Sequence, residues 1–275
     1  MYEIINLLDY HKLVSILGPP GIGKTSLARN LANYVKDRKK FSDGIIYVAL
    51  RGCESAQMFL TRLCLRIRTT CSFEEYKKYG LEEIDKKSNS ESDGAYIDKD
   101  DESKYRNFIL HILRDKEVLL ILDNAEDPLE DDNKRFVDEL DAIIDHCNKI
   151  KLLVTTRKTI NKLAHNHEKP YILQPLSKEA SLKLLIAKAP REIKNPELQE
   201  LLQCTIPKRC KISQSINVKL RDEVSETVTL LDHPFTALLG GHPQAISLAA
   251  PLLETKSLKR LFYAFCDSNL MDAMD

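Results

Sequence analysis

The residues that indicate chemistry most strongly are 18–25, with the sequence Gly-Pro-Pro-Gly-Ile-Gly-Lys-Thr. They satisfy the pattern G-x-x-x-x-G-K-[ST], and they lie between an apolar run and a helical pattern. Glycines let the backbone turn tightly so that its N–H groups converge on phosphate oxygens, and the start of the following helix adds partial positive charge. The sequence therefore predicts a phosphate-binding loop.

The residue types within this loop have separate tasks. Lys24 is expected to reach the β- and γ-phosphates of a nucleotide, and Thr25 to offer its hydroxyl to a Mg²⁺ ion that bridges them. The alternative is a chance match to the pattern. Glycine is scarce, with 9 residues in 275, so a chain of this composition is expected to contain about 0.003 such matches by chance. The residues predicted to bind the nucleotide here are Gly18, Pro19, Gly21, Ile22, Gly23, Lys24, Thr25 and Ser26.

A second candidate is Asp123, which follows the apolar run 118–122. In open α/β sheets the ligand lies beyond the carboxyl ends of the strands, so Asp123 is predicted to hold Mg²⁺ directly or through water. Many hydrolytic ATPases carry a second acid at the next position, but here it is Asn124, and an amide accepts no proton at neutral pH. We therefore expect at most a slow ATPase. The sequence assigns no base, because Glu126 and Asp127 follow on a segment whose direction it does not define.

A third candidate is Arg157, which comes directly after the apolar and threonine-rich run 152–156. A cation at the end of a strand is placed to sense a γ-phosphate, which makes Asp123 and Arg157 the candidate catalytic residues. The spacing alone leaves open that Arg157 is an ordinary surface residue.

The elements that must position these residues alternate along the chain, with short apolar runs between longer helical patterns. Apolar residues at consecutive positions are typical of strands covered on both faces, so we predict a three-layered α/β fold with a five-stranded parallel sheet. The predicted strands are 13–17, 45–50, 118–122, 152–155 and 171–173, and the predicted helices among them are 25–36, 55–68, 104–114 and 133–148.

The character of the chain changes after Pro175, where strand signals give way to helical patterns at 177–188, 196–203 and 245–253. We therefore predict a nucleotide-binding domain over 1–174 and a smaller helical domain over 175–275. Between about 72 and 103 the sequence is polar and acidic without periodicity, which predicts a mobile surface insertion. An acidic docking loop is the functional alternative for that stretch.

Composition excludes several classes of protein. The 275 residues are 43% hydrophobic and 30% charged, with 41 basic and 41 acidic residues. This balance disfavours nucleic acid as a partner, and no apolar run approaches the ~18 residues of a membrane helix. The 7 cysteines are odd in number and form no C-x-x-C pair, which fits reduced thiols and a cytoplasmic protein. Because the apolar runs are short, we also expect no contact with a membrane.

The motifs taken together resemble the NB-ARC module of the STAND signalling NTPases, a family that includes plant disease-resistance proteins and apoptosome scaffolds. The matching segments are 18–25, 120–125 (Leu-Ile-Leu-Asp-Asn-Ala), 153–157 (Leu-Val-Thr-Thr-Arg), 173–177 (Leu-Gln-Pro-Leu-Ser) and 240–246 (Gly-Gly-His-Pro-Gln-Ala-Ile), with 41–50 also similar. The resemblance implies a sheet in the order 5-1-4-3-2 and a four-helix companion. It also implies that Arg157 contacts the γ-phosphate of ATP and that Pro243 packs against the bound nucleotide. From the residues alone, 240–243 indicate a tight turn that enters a helix.

The leading hypothesis is a signalling switch that binds ADP or ATP with Mg²⁺, and whose partners are other protein domains or further copies of itself on activation. Two alternatives stay open: an ordinary ATP-hydrolysing ATPase of the AAA type, and a truncated nucleotide-binding module that does not switch. The chain starts close to the phosphate loop and ends at Asp275, so both a fragment and a minimal protein fit this interpretation.

Overall fold

The computed structural model describes residues 1–81, 99–160, 168–202, 235 and 238–267. These residues fall into two units. The first contains Met1–Pro19 and Lys24–Leu173, and the second contains Pro20–Gly23 with the chain from Gln174 onward.

One parallel sheet forms the centre of the first unit. Its strands are β1 (Leu13–Leu17), β2 (Ile45–Ala49), β3 (Leu119–Asp123), β4 (Lys151–Thr156) and β5 (Glu168–Ile172). Their spatial order is β2-β3-β4-β1-β5, and every neighbouring pair is parallel. Read from the other edge, this is the expected order 5-1-4-3-2, so the predicted fold class is confirmed.

The register brings the carboxyl ends of the strands to one edge of the sheet. Ala49 pairs with Asp123, and Leu17 pairs with both Thr156 and Ile172. The residues that follow β1, β3 and β4 are therefore neighbours in space although they are distant in sequence.

Helices cover both faces of the sheet. Those of the first unit are α1 (Tyr2–Tyr10), α2 (Lys24–Asp37), α3 (Ala56–Arg68), α4 (Phe73–Lys78), α5 (Lys99–Leu113), α6 (Glu126–Asp131) and α7 (Asn133–His146). Leu119 and Ile121 of β3 pack on the face covered by α1 and α2. Leu120 and Leu122 pack with Phe59 of α3 and its neighbours on the other face. This alternation explains why β3 is apolar at consecutive positions.

The predicted surface insertion at about 72–103 contains helical structure in the parts that the structure describes. The α4 helix lies within it, and α5 begins five residues before the predicted helix start at 104. The Tyr76 ring is buried and meets the Phe108 ring edge to face at 5.4 Å, and Leu81 is also buried. A few apolar residues among polar ones do not show a period in the sequence. Residues 82–98 lie outside the described part of the chain.

The edge strand β5 begins at Glu168, three residues before the predicted start. Its residues are exposed or half-buried, so it lacks the apolar run by which the other strands are recognised. Pro170 within it donates no backbone N–H, which an edge strand tolerates.

The second unit has its own helices and its own core. The helices are α8 (Lys178–Lys188), α9 (Asn195–Leu202), α10 (Pro243–Ala249) and α11 (Leu258–Asp267), with a 3₁₀ helix at Ala250–Glu254. Ser177 caps α8, because its hydroxyl accepts a hydrogen bond from the Ala180 N–H at 3.2 Å. The predicted helix 245–253 starts two residues earlier and becomes a 3₁₀ helix at Ala250, where Pro251 cannot donate the next helical hydrogen bond.

None of the helices in the described residues is long and apolar enough to cross a membrane.

Candidate functional site

The phosphate loop predicted at 18–25 connects β1 to α2. Gly21 and Gly23 have φ values of 74° and 106°, a region that residues with a side chain rarely adopt. Lys24, Thr25 and Ser26 form the first turn of α2. The glycines therefore stand where the backbone conformation needs them, and the loop leads directly into the start of a fourteen-residue helix.

Lys24 folds back over the beginning of the loop. Its Nζ donates hydrogen bonds to the carbonyl oxygens of Gly18 at 2.7 Å and Pro19 at 3.2 Å. The residue is 8% exposed, so its ammonium group is largely withdrawn from water. A buried ammonium needs compensating polar partners, and the two carbonyls supply part of that compensation.

Asp123 lies at the carboxyl end of β3, within a set of hydroxyl groups. Its Oδ1 accepts hydrogen bonds from Thr25 Oγ1 at 2.8 Å and from Thr155 Oγ1 at 2.6 Å. Its Oδ2 accepts a short hydrogen bond from the Tyr47 hydroxyl. We call Thr25, Tyr47, Asp123 and Thr155 the carboxylate cluster. It brings together the two predicted metal ligands, Thr25 and Asp123.

Tyr47 connects this cluster to Arg29. The Tyr47 hydroxyl accepts a hydrogen bond from Arg29 Nε at 3.3 Å and donates its own proton to Asp123. Burial, and then the hydrogen bond to Asp123, raise the pKa of Tyr47 above its ordinary value. The phenol therefore keeps its proton at neutral pH and remains a donor to the Asp123 carboxylate.

A second set of charged groups lies beside the first. Glu126 Oε1 lies 3.6 Å from Lys24 Nζ and 3.5 Å from Arg157 Nε. We call Lys24, Glu126 and Arg157 the cation cluster. Glu126 is 5% exposed, and among the described residues its buried Oε2 has no hydrogen-bond partner. The Arg157 side chain is 52% exposed.

A tight turn after β3 explains why Glu126, rather than the residue next to Asp123, joins this cluster. Asn124 has a φ of 65°, and asparagine tolerates this left-handed conformation better than most residues. The Asn124 N–H donates to Thr155 Oγ1 at 2.8 Å, and the Ala125 N–H donates to the Thr155 carbonyl at 2.9 Å. The turn ends where α6 begins, at Glu126.

Pro243 lies in the second unit, which also contains residues 20–23. The Gln244 N–H donates to the Gly21 carbonyl at 3.3 Å, and His242 Nε2 lies 2.9 Å from the Pro20 carbonyl oxygen. Pro243 Cγ is 3.9 Å from the position that a Cβ on Gly23 would occupy. Pro243 therefore lies beside the loop glycines, and its contact with a nucleotide stays a prediction.

The structure brings Lys24, Thr25, Asp123 and Arg157 into two adjoining clusters. Ser26 is exposed on α2, and Ile22 is buried in the loop. Sequence reasoning missed Tyr47 and Thr155 and left Glu126 without a role. Tyr47 and Thr155 lie within strand runs, where the sequence signal reports burial and not function.

Comparison with known proteins identifies the family. A family profile described as an AAA domain matches residues 8–164. This span includes the phosphate loop, the acid at the end of β3 and Arg157. The chain is a member of the AAA domain family. Proteins with this loop, strand and helix arrangement are P-loop NTPases, and nucleotide binding is the chemistry that the family implies.

Curated relatives of this AAA domain protein include plant resistance proteins. It is 26% identical over 188 residues to the ToMV resistance protein Tm-2(2) of Solanum lycopersicum, an alignment that covers 68% of this chain and 18% of the relative. It is 50% identical over 46 residues to the probable disease resistance protein RPP1 of Arabidopsis thaliana, covering 17% of this chain and 4% of that protein. The chain thus spans less than a fifth of the length of these relatives.

Solved structures show the same fold. A Signal Transduction ATPase with Numerous Domains (STAND) protein with a tetratricopeptide repeat sensor from Pyrococcus horikoshii matches with a TM-score of 0.50 and 18% identity, over 96% of this chain and 31% of that chain. A Walker-type ATPase of Pyrococcus abyssi matches with a TM-score of 0.50 and 13% identity, over 96% of this chain and 69% of that chain. These structural matches show the fold, and the plant relatives confirm the resemblance to disease-resistance proteins.

Proposed function

We propose that this protein is a signalling switch that binds ADP or ATP with Mg²⁺ and hydrolyses ATP slowly or not at all. The observation that carries the proposal is the hydrogen bond of 2.8 Å between the Thr25 hydroxyl and Asp123 Oδ1. It joins the end of the phosphate loop to the acid of β3, the two groups that hold the metal ion in P-loop NTPases.

The donor groups fit magnesium. Mg²⁺ prefers oxygen ligands and is commonly held by one or two protein oxygens together with substrate phosphates and water. Thr25 and Asp123 supply a hydroxyl and a carboxylate oxygen within hydrogen-bond distance of each other. When bound, Mg²⁺ would neutralise charge on the phosphates, while Lys24 would add a cation from the loop itself.

Slow hydrolysis follows from the residues around Asp123. Asn124 has no group that accepts a proton from an attacking water, and Asp123 is already held by three hydroxyl donors. A general base contributes about 10²–10⁴-fold to a rate. Without one beside Asp123, turnover should stay well below the ~10 s⁻¹ typical of enzymes.

Arg157 is the residue proposed to distinguish the two nucleotides. ATP and ADP differ by the γ-phosphate, and a ligand shifts a conformational equilibrium only through contacts that differ between the states. The guanidinium of Arg157 is half-exposed and paired with Glu126 at 3.5 Å, so it has room to exchange that partner for a phosphate. The plant relatives are named as resistance proteins, and we propose a signalling role in the cytoplasm with other protein domains or further copies of this chain as partners.

An ordinary ATP-hydrolysing ATPase is the second candidate, because the chain belongs to the AAA domain family. Steady-state phosphate release separates the two functions. We expect the purified protein to bind ATP while releasing far less than one phosphate per second, with Lys24→Ala as the background. Turnover of several per second would favour the ordinary ATPase.

A further inference from the structure

We infer that Glu126 determines nucleotide specificity, because its carboxylate competes with the γ-phosphate for Lys24 and Arg157 and so weakens the preference for ATP over ADP. The inference rests on the proposed function, since it assumes that both cations meet phosphate.

The geometry of Glu126 is that of an internal anion. One carboxylate oxygen lies within 3.6 Å of both the Lys24 ammonium and the Arg157 Nε. The other oxygen is buried and has no hydrogen-bond partner among the described residues. A buried carboxylate is unfavourable unless it is paired. Within the described chain, Lys24 and Arg157 are the cations paired with Glu126.

The backbone around Glu126 holds it in this place. The Ala125 N–H donates to the Thr155 carbonyl at 2.9 Å. On the other side, Asp127 Oδ2 accepts a hydrogen bond from the Gly52 N–H at 2.5 Å. Because the residues before and after Glu126 are both tied to other strands or loops, its backbone is held beside the two cations, and only rotation of the side chain can move the carboxylate.

A phosphate that binds Lys24 and Arg157 must therefore take over partners that Glu126 now holds, and the two anions then repel each other at close range. Lys24 meets the β- and γ-phosphates in P-loop NTPases, whereas Arg157 is proposed to meet the γ-phosphate alone. ADP consequently competes with Glu126 for one cation, and ATP competes for both. Removing the charge of Glu126 should favour ATP more than ADP.

The test compares Glu126→Gln with Asp131→Asn, a change at an exposed residue of the same helix, by isothermal titration of the full chain with a non-hydrolysable ATP analogue and with ADP, both with Mg²⁺. Close like charges cost several kcal/mol when desolvated, so we expect Glu126→Gln to bind the analogue at least about fivefold more tightly, with a smaller gain for ADP. Asp131→Asn loses the same charge at the other end of this helix and should change the ratio of the two affinities by less than about twofold.

A double-mutant cycle with Arg157→Ala tests the route of the effect. If Glu126 acts through Arg157, Glu126→Gln should improve binding of the analogue less in the Arg157→Ala variant than in the wild-type protein. Glu126→Asp retains the charge on a shorter chain and should show the wild-type ratio or a smaller shift in the same direction. If Glu126→Gln fails to show a cooperative thermal unfolding transition, Glu126→Ala replaces it in the comparison, because that variant also removes the charge.

Unchanged or weaker binding of the analogue by Glu126→Gln would overturn the inference while leaving the proposed function in place. Equal gains for the two nucleotides would also overturn it, because specificity would then not depend on Glu126. If the wild-type protein binds neither nucleotide, the proposed function itself fails.

Discussion

The carboxylate cluster and the cation cluster contain two buried acids, three residues apart, that are held in opposite ways. Asp123 accepts hydrogen bonds from three hydroxyl groups. Glu126 has two cations at 3.5 and 3.6 Å from one oxygen and no hydrogen-bond partner in the described chain for the other. The difference shows which acid is fixed and which can exchange its partners.

Hydrogen bonds from hydroxyl groups are directional, so three of them fix the orientation of the Asp123 carboxylate before any metal ion arrives. Ion pairs at 3.5 Å and beyond depend mainly on distance, and they constrain orientation much less. The carboxylate cluster is therefore organised in advance for a metal ion. The cation cluster is arranged so that an incoming phosphate can replace an internal anion.

Replacing Lys24 should have the largest effect on nucleotide affinity, because Lys24 belongs to the cation cluster and begins the helix that carries Thr25 of the carboxylate cluster. Lys24→Ala should lose about 1.5–3 kcal/mol of binding energy, or roughly ten- to a hundredfold in affinity for both nucleotides. Isothermal titration measures the loss. Lys36→Ala, in the last turn of the same helix, is the control and should bind like wild type. An unchanged affinity in Lys24→Ala would contradict the assignment of residues 18–25 as the phosphate-binding loop.

Asp123→Asn should show that the carboxylate cluster, unlike the cation cluster, contributes to nucleotide affinity through Mg²⁺. The variant should bind ATP about tenfold more weakly in the presence of Mg²⁺, because the lost charge faces the ion and not the nucleotide. Binding of ADP without Mg²⁺ should be nearly unchanged. Titrations with and without Mg²⁺ make the comparison, and an equal loss under both conditions would make Asp123 a structural residue.

Tyr47→Phe should produce the smallest effect, since it removes one of three donors to Asp123. A hydrogen bond contributes about 1 kcal/mol, so Mg²⁺-dependent ATP binding should weaken by roughly three- to fivefold. Tyr34→Phe makes the same chemical change on α2, outside both clusters, and should leave binding intact. The titration used for Asp123→Asn measures it. An effect of Tyr47→Phe that persists without Mg²⁺ would show that Tyr47 supports the fold and not the metal ligands.

The sequence predicted the parts of this molecule that have a local signal. The phosphate loop and the apolar strands β1 to β4 are visible because glycines, apolar runs and chain order define them. The edge strand β5 was predicted too short, because its exposed residues show no apolar run. Helix α4 was missed because it has only six residues, four of them charged, which is too short to show a helical period.

The partners within the site could not be predicted, because they depend on register between strands. Tyr47 reaches Asp123 because β2 pairs with β3, and Thr155 reaches it because β4 lies on the other side of β3. The pairing of Glu126 depends on the turn at Asn124, whose left-handed φ is visible only in the structure. From the sequence, Asn124 indicates that the second acid of many hydrolytic ATPases is replaced by an amide, but it does not indicate that the chain turns there.

Titration of nucleotide-stripped wild-type protein with ADP and with a non-hydrolysable ATP analogue, both with Mg²⁺, tests the central claim most directly. We expect saturable binding of both nucleotides at one site per chain. Absence of binding by a correctly folded protein would contradict it.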